Sequence, residues 1–99
     1  MDDDLELIHG SGNVFRDVGL PNPELEQLRA ILAAQIIKVL DDQKLTVRAA
    51  GELTGFAAAD FSRIRRVKLG RFTIDRLMMM LDRLGQAVDV SVRVAPKAA

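Results

Sequence analysis

The stretch Lys44-Leu45-Thr46-Val47-Arg48-Ala49-Ala50-Gly51-Glu52-Leu53-Thr54-Gly55-Phe56, continued by Ala57-Ala58-Ala59-Asp60-Phe61-Ser62-Arg63-Ile64-Arg65-Arg66-Val67-Lys68, decides the fold of this chain. Thr46 has the side chain of an N-cap, and the helix it opens, through Ala49, Ala50 and Leu53, must stop at Thr54-Gly55, where glycine tolerates the positive φ of a tight turn. A second helix starts at about Ala58 and runs to Val67. Phe61 and Ile64, three apart, turn inward and fix its roll, leaving Ser62, Arg63, Arg65, Arg66 and Lys68 largely outside. Ala50-Gly51 supplies the small residues needed where two such helices cross.

Before this pair, Pro21-Asn22-Pro23-Glu24 is a helix start. Asn22 accepts from an orphan amide as N-cap, Pro23 needs no donor at the first helical position, and Glu24 and Glu26 complement the dipole. The helix that follows, to about Gln43, carries the stripe Leu25, Leu28, Leu32, Ile36, Val39 and Leu40 at a spacing of three and four. After the pair, Leu69-Gly70-Arg71-Phe72 is a connection. Thr73 caps a further helix with the stripe Ile74, Leu77, Met78, Leu81 and Leu84, and Gly85 ends it. Of the run Met78-Met79-Met80, the spacing puts Met78 in the core and leaves Met79 and Met80 as partly exposed fillers. The period then changes from helical to two: in Val88-Asp89-Val90-Ser91-Val92-Arg93-Val94 every second residue is valine, the pattern of a half-buried strand.

The 99 residues make one domain. With 48% hydrophobic and 28% charged residues, the composition is globular and far from that of chains that stay disordered. The absence of Cys excludes disulfides, thiolate-zinc sites and cysteine nucleophiles. No apolar run spans a bilayer, and Met1-Asp2-Asp3-Asp4 is the opposite of a secretory n-region, so the expected compartment is the cytoplasm and no membrane is involved. The expected organisation is an acidic N-terminal arm over 1–22, a helical domain over 23–86, a dimerising strand over 87–95 and a tail over 96–99.

A formal net charge of zero argues against a generic nucleic-acid binder, but it hides a segregation. Residues 1–43 carry nine acidic and three basic residues, whereas 44–76 carry eight basic and three acidic ones. The positive charge therefore sits in the two-helix motif. In a helix-turn-helix the first helix braces the second, whose N-terminal residues enter the major groove of DNA. The residues left facing a groove are Ala57, Ala58, Ala59, Ser62, Arg63 and Arg66. Arg63 is the candidate base reader, because a guanidinium pairs bidentately with guanine O6 and N7. The methyls of Ala58 and Ala59 suit thymine methyls, and Ser62 suits a base or a phosphate. Thr46, Arg48, Arg65, Lys68 and Arg71 are better placed for phosphates.

These residues carry a resemblance. Residues 44–85 look like the helix-turn-helix of the XRE (Cro and phage repressor) family. The flanks Gly10-Ser11-Gly12-Asn13-Val14-Phe15-Arg16-Asp17-Val18-Gly19-Leu20-Pro21, Phe72-Thr73-Ile74-Asp75-Arg76-Leu77 and Leu84-Gly85-Gln86-Ala87-Val88 resemble its small single-domain branch, which includes HigA-like antitoxins. The resemblance implies a mainly α fold of four to five helices. It also implies a DNA-binding dimer that represses its own operon and, in many members, binds a RelE-like RNase toxin encoded beside it. The chain departs from the pattern at Val47, where relatives usually have a phosphate-clamping Gln, at Asp60, which puts a negative charge near the DNA, and at Val67, where relatives often have Gly.

A lone strand in a helical protein leaves its backbone groups unpaired and must find a partner. Pairing of residues 87–94, with Val88, Val90, Val92 and Val94 on one face, with the same segment of a second chain would give a two-fold ribbon. Two recognition helices would then sit about one DNA turn, roughly 34 Å, apart, as a palindromic operator requires. The alternative partner is Leu5 to Ile8 of the arm; the homodimer is the favoured reading.

The arm, with Asp2, Asp3, Asp4 and Glu6, is complementary in sign to the basic active site of a toxin RNase. His9, the single histidine, is a surface-loop residue without a second ligand cluster. Gly10, Gly12 and Gly70 lack the Lys-Ser/Thr of a phosphate loop. With no Cys, Tyr or Trp and no acid pair, catalysis has little to use and no cofactor or metal is implied. The expected protein is a non-enzymatic transcriptional repressor and antitoxin acting on double-stranded DNA. Its rivals are a stand-alone regulator without a toxin and a protein-binding adaptor that has lost DNA affinity, the latter motivated by Val47 and Asp60.

Overall fold

The computed structural model describes residues 4–7 and 23–96. Its elements run β1 (Asp4–Leu7), α1 (Pro23–Asp42), α2 (Val47–Thr54), α3 (Ala58–Arg65), α4 (Ile74–Arg83) and β2 (Val90–Arg93). The mainly helical architecture follows the sequence expectation, with four helices among the described residues. The Asn22 cap, His9, the Gly10–Asn13 punctuation, Asp2 and Asp3 lie outside the described residues.

Local chemistry sets most helix ends. Thr46 and Thr73 are the N-caps of α2 and α4, their hydroxyls accepting from the amides of Ala49 at 3.0 Å and Arg76 at 3.3 Å. Each satisfies one of the amides that the first turn leaves without an intrahelical acceptor. Three helices close with the same pair of hydrogen bonds. At α4, the Gln86 amide reaches Leu81 O and the Gly85 amide reaches Asp82 O, with Gly85 at φ 84°. At α1, Leu45 and Lys44 bond to Leu40 and Asp41, with Lys44 at φ 55°; at α3, Lys68 and Val67 bond to Arg63 and Ile64, with Val67 at φ 57°. This closure demands a left-handed residue, which glycine adopts freely and a β-branched valine does not. Val67 therefore stands outside α3, which ends at Arg65 rather than at Val67 as the periodicity suggested.

The core lies where α1 crosses α4 and where α3 inserts beneath them. Leu32, Ala33, Ile36, Val39 and Leu40 of α1 pack with Phe61 and Ile64 of α3, with Phe72, and with Ile74, Leu77, Met78, Met80, Leu81 and Leu84 in and around α4. Leu25 and Leu28 are partly buried against this cluster. Met80 departs from the expectation of a partly exposed filler: it is as fully buried as Met78. The reason is that α4 is covered by both α1 and α2, so its buried surface is wider than one stripe. Leu53, apolar by type, is 58% exposed on α2.

Of the two partners expected for the C-terminal strand, a second copy and the N-terminal arm, the arm is the one it meets within the single chain: β2 pairs with β1. The pairing is antiparallel, in the register Asp4 with Arg93, Leu5 with Val92, Glu6 with Ser91 and Leu7 with Val90. A segment tethered to the same molecule competes at an effective concentration that a separate chain does not reach. β2 is also shorter than the valine alternation, Val88 entering the molecule as coil packed with Val90 against the core. β2 has β1 on one edge and no strand on the other among the described residues.

Candidate nucleic-acid interface

The relation between α2 and α3 is set by a close backbone approach. A Cβ added at Gly51 would lie 3.0 Å from the Phe56 carbonyl oxygen and 3.1 Å from the Ala58 amide nitrogen, so only glycine lets the turn fold this tightly against α2. Thr54 ties the turn from inside. Its buried hydroxyl donates to the Ala50 carbonyl at 2.7 Å and accepts from the Phe56 amide at 3.2 Å. Gly55, at φ 83°, then reverses the chain. From the far side, Arg83 of α4 donates from Nη1 to the Thr54 carbonyl at 3.1 Å.

With Phe61 and Ile64 fully buried, the helical repeat of about 3.6 residues assigns the other sides of α3. Ala59, Ser62, Arg63 and Arg66 share the outward face. Ala59 and Arg66 are exposed, Ser62 and Arg63 half-exposed, and the Arg66 Nε donates to the Ser62 carbonyl at 3.4 Å. Ala58 stands on one flank, half-buried where its backbone meets Gly51. Arg65 stands on the same flank and does not join Arg63: its Nη2 donates to Asp41 Oδ1 at 2.8 Å, joining α3 to the end of α1. Ala57 is the N-cap of α3 and has no side-chain oxygen to offer its amides.

Asp60 occupies the opposite flank. Its carboxylate is not presented to solvent as the sequence suggested. The residue is 7% exposed, and it accepts from Arg63 Nη1 at 3.0 Å on Oδ1 and from Arg76 Nη2 at 2.7 Å on Oδ2. Its negative charge is thus matched by two guanidinium groups, one on α3 and one on α4. The Arg76 guanidinium carbon lies 5.2 Å from the centre of the Phe56 ring, over which that of Arg83 also lies, at 5.0 Å. Ala59, Asp60, Arg63, Arg71 and Arg76 line an open cleft of about 440 Å³ beside the start of α3.

Spacing alone missed Arg76. Its partner lies 16 positions away in sequence, and the available signal was an arginine in the first turn of α4, where the helix dipole disfavours a cation unless an anion is near. The other expected contacts are arranged around the outward face. Thr46, Arg48, Lys68 and Arg71 are all exposed. Arg48 lies 3.9 Å from Glu52, an exposed pair worth little. Val47, which follows the Thr46 cap, is partly buried and packs against the core.

A glycine-tightened pair of short helices, the second with a polar outward face, is the architecture of a helix-turn-helix protein. Comparison with known families agrees: the family described as Helix-turn-helix domain matches residues 14–93, and the chain belongs to it. It is accordingly a DNA-binding regulator. No curated protein and no solved structure gives a significant match. Among the described residues no helix is long and apolar enough to cross a membrane, and no group of three or more His, Asp or Glu side chains is placed to hold a metal ion.

Proposed function

We propose that this protein is a sequence-specific transcriptional repressor that binds a palindromic operator as a homodimer and reads it with the outward face of α3. The observation that carries this reading is the grouping of Ala59, Ser62, Arg63 and Arg66 on one accessible face of a helix whose roll is locked by buried Phe61 and Ile64. In this reading Arg63 and Arg66 meet guanine edges, Ser62 a base or phosphate, and Ala58 and Ala59 thymine methyls. Thr46, Arg48, Lys68 and Arg71 hold phosphates on either side. Arg65, occupied by Asp41, steadies α3 against α1.

The homodimer forms through the strand edge of β2 not taken by β1, so that Val90, Val92 and their neighbours continue the sheet across a two-fold axis. Resemblance to HigA-like antitoxins, together with the acidic residues at Asp2, Asp3, Asp4 and Glu6, supports a second role as the neutralising partner of a RelE-like RNase toxin. Coexpression with the adjacent gene tests that role: a small basic RNase that co-purifies supports it, and a stand-alone regulator brings down none.

Operator reading is tested by fluorescence anisotropy on a duplex from the region upstream of the gene, with a scrambled duplex and a salt series. The expected result is submicromolar binding with a preference of about tenfold or more over the scrambled duplex. The affinity should fall with salt at a logarithmic slope of about −0.9 per phosphate neutralised. Equal binding to both duplexes would overturn the proposal.

A further inference from the structure

We propose that Asp60 is the specificity-determining residue of this interface: a positioning carboxylate that holds Arg63 in the one orientation from which it reads guanine. The inference rests on the operator-reading proposal above and concerns how that reading is made selective. A carboxylate on a recognition helix repels DNA unless it is neutralised. Here it is neutralised on both oxygens, by Arg63 at 3.0 Å and Arg76 at 2.7 Å, and its side chain is only 10% exposed.

The two partners differ in what holds them. Arg76, its side chain 46% exposed, has a second contact besides Asp60: its guanidinium carbon lies 5.2 Å from the centre of the Phe56 ring, on the turn that sets α2 against α3. Arg63 is anchored by Asp60, on its own helix, and its side chain is 33% exposed. Phe56, Arg76, Asp60 and Arg63 therefore form a chain of contacts that ends in a guanidinium with a free edge at the surface.

An arginine bonded to Asp60 through Nη1 still has Nε and Nη2 donors, enough for a bidentate pair with guanine O6 and N7. An unheld arginine beside DNA is drawn instead to the nearest phosphate, a contact that adds affinity without sequence information. Asp60 thus trades general attraction for selectivity: it lowers the positive charge of the cleft and denies Arg63 the phosphate alternative.

The test is selection of bound duplexes from a randomised operator library by the full chain and by Asp60→Asn, with affinities measured on the selected and a scrambled duplex and a thermal melt of each protein. The expected wild-type result is a guanine requirement at one base pair per half-site that disappears in Arg63→Ala. In Asp60→Asn that requirement weakens about tenfold, while affinity for the scrambled duplex rises and its salt dependence steepens. A purely structural Asp60 would lower affinity for both duplexes together with the melting temperature and leave base preference intact; that result overturns the proposal. A carboxylate that merely competes with DNA for Arg63 would raise affinity for the selected duplex on removal, which also overturns it. Should Asp60→Asn not fold, Arg76→Gln, which loosens the anchor from outside α3, must relax the same base pair, and unchanged preference there refutes the idea. A wild-type protein that selects no sequence overturns operator reading itself, an outcome distinct from unaltered selectivity in the variant.

Discussion

Arg83, in the last turn of α4, donates from Nη1 to the carbonyl oxygen of Thr54 at 3.1 Å, while the same guanidinium carbon lies 5.0 Å from the centre of the Phe56 ring. One side chain thus satisfies a carbonyl at the end of α2 and covers the aromatic residue of the turn that follows. Arg83→Ala removes a charge-assisted hydrogen bond and a cation–π contact and should cost about 1–2 kcal/mol in urea unfolding. Arg83→Lys should recover only part of this, because an ammonium lacks the planar face that stacks on the ring. No change in the unfolding midpoint for Arg83→Ala would show that the contact does not hold the turn.

Gly51→Ala sets two effects against each other. Alanine is favoured over glycine inside a helix by about 1 kcal/mol, but its Cβ would stand 3.0 Å and 3.1 Å from backbone atoms of Phe56 and Ala58, which have little freedom to retreat. Overpacking of this kind costs about 1–3 kcal/mol, so the variant should be less stable by about 1 kcal/mol on balance, with weaker operator binding because α3 is displaced. A gain in stability would mean that the helix pair relaxes more easily than its contacts suggest.

Val67→Gly should do the opposite. Val67 is 66% exposed and holds φ 57°, so the substitution loses little packing while removing the strain of a left-handed β-branched residue. After allowance for the greater freedom of glycine in the unfolded chain, a gain of about 0.5–1 kcal/mol is expected, or several degrees in Tm. A lower Tm would show that the Val67 side chain contributes contacts worth more than its strain.

Arg65→Ala and Arg71→Ala should separate in a salt titration of DNA binding. Arg71 is exposed and has no carboxylate partner among the described residues, and its loss should lower the magnitude of the logarithmic salt slope by about 1. Arg65 is engaged 2.8 Å from Asp41, so its loss should change that slope less. Equal changes would mean that Arg65 leaves Asp41 when DNA arrives.

Sedimentation equilibrium addresses the β2 edge. Twice the chain mass of 10.9 kDa is expected for the wild type, with a return to the single mass in Val92→Lys while helical circular dichroism is retained. A wild-type protein of single-chain mass over the concentrations used for DNA binding would dispose of the strand-mediated homodimer.

What was legible in the sequence was chemistry acting over a few residues. Thr46 and Thr73 announce helix starts because their hydroxyls reach amides three positions on, and Gly55 and Gly85 announce helix ends because they accept positive φ. Phe61 and Ile64 give the roll of α3 by spacing alone. What was not legible depends on elements far apart in the chain. Asp60 looks like an exposed acid until Arg76, 16 residues on, folds back beside it, and the ion pair of Arg65 with Asp41, 24 residues earlier, has no local signal at all. Met80 looks half-exposed on a one-stripe helix and is buried because α4 is covered from two sides. The valine strand was recognised by its alternation, but alternation does not say which strand lies beside it.

The register that sets Asp4 opposite Arg93 joins the first described element to the last. Residues 90–93 are translated after those of all four helices, and the helices make their mutual contacts without the sheet, so β1 and β2 are the pair that must wait longest to meet. Until Arg93 has emerged, the Asp4–Leu7 segment has no strand to lie against and remains open to any other edge it meets, including that of a neighbouring nascent chain. The order of manufacture thus leaves a short interval in which exchange of this segment between two copies competes with closure within one.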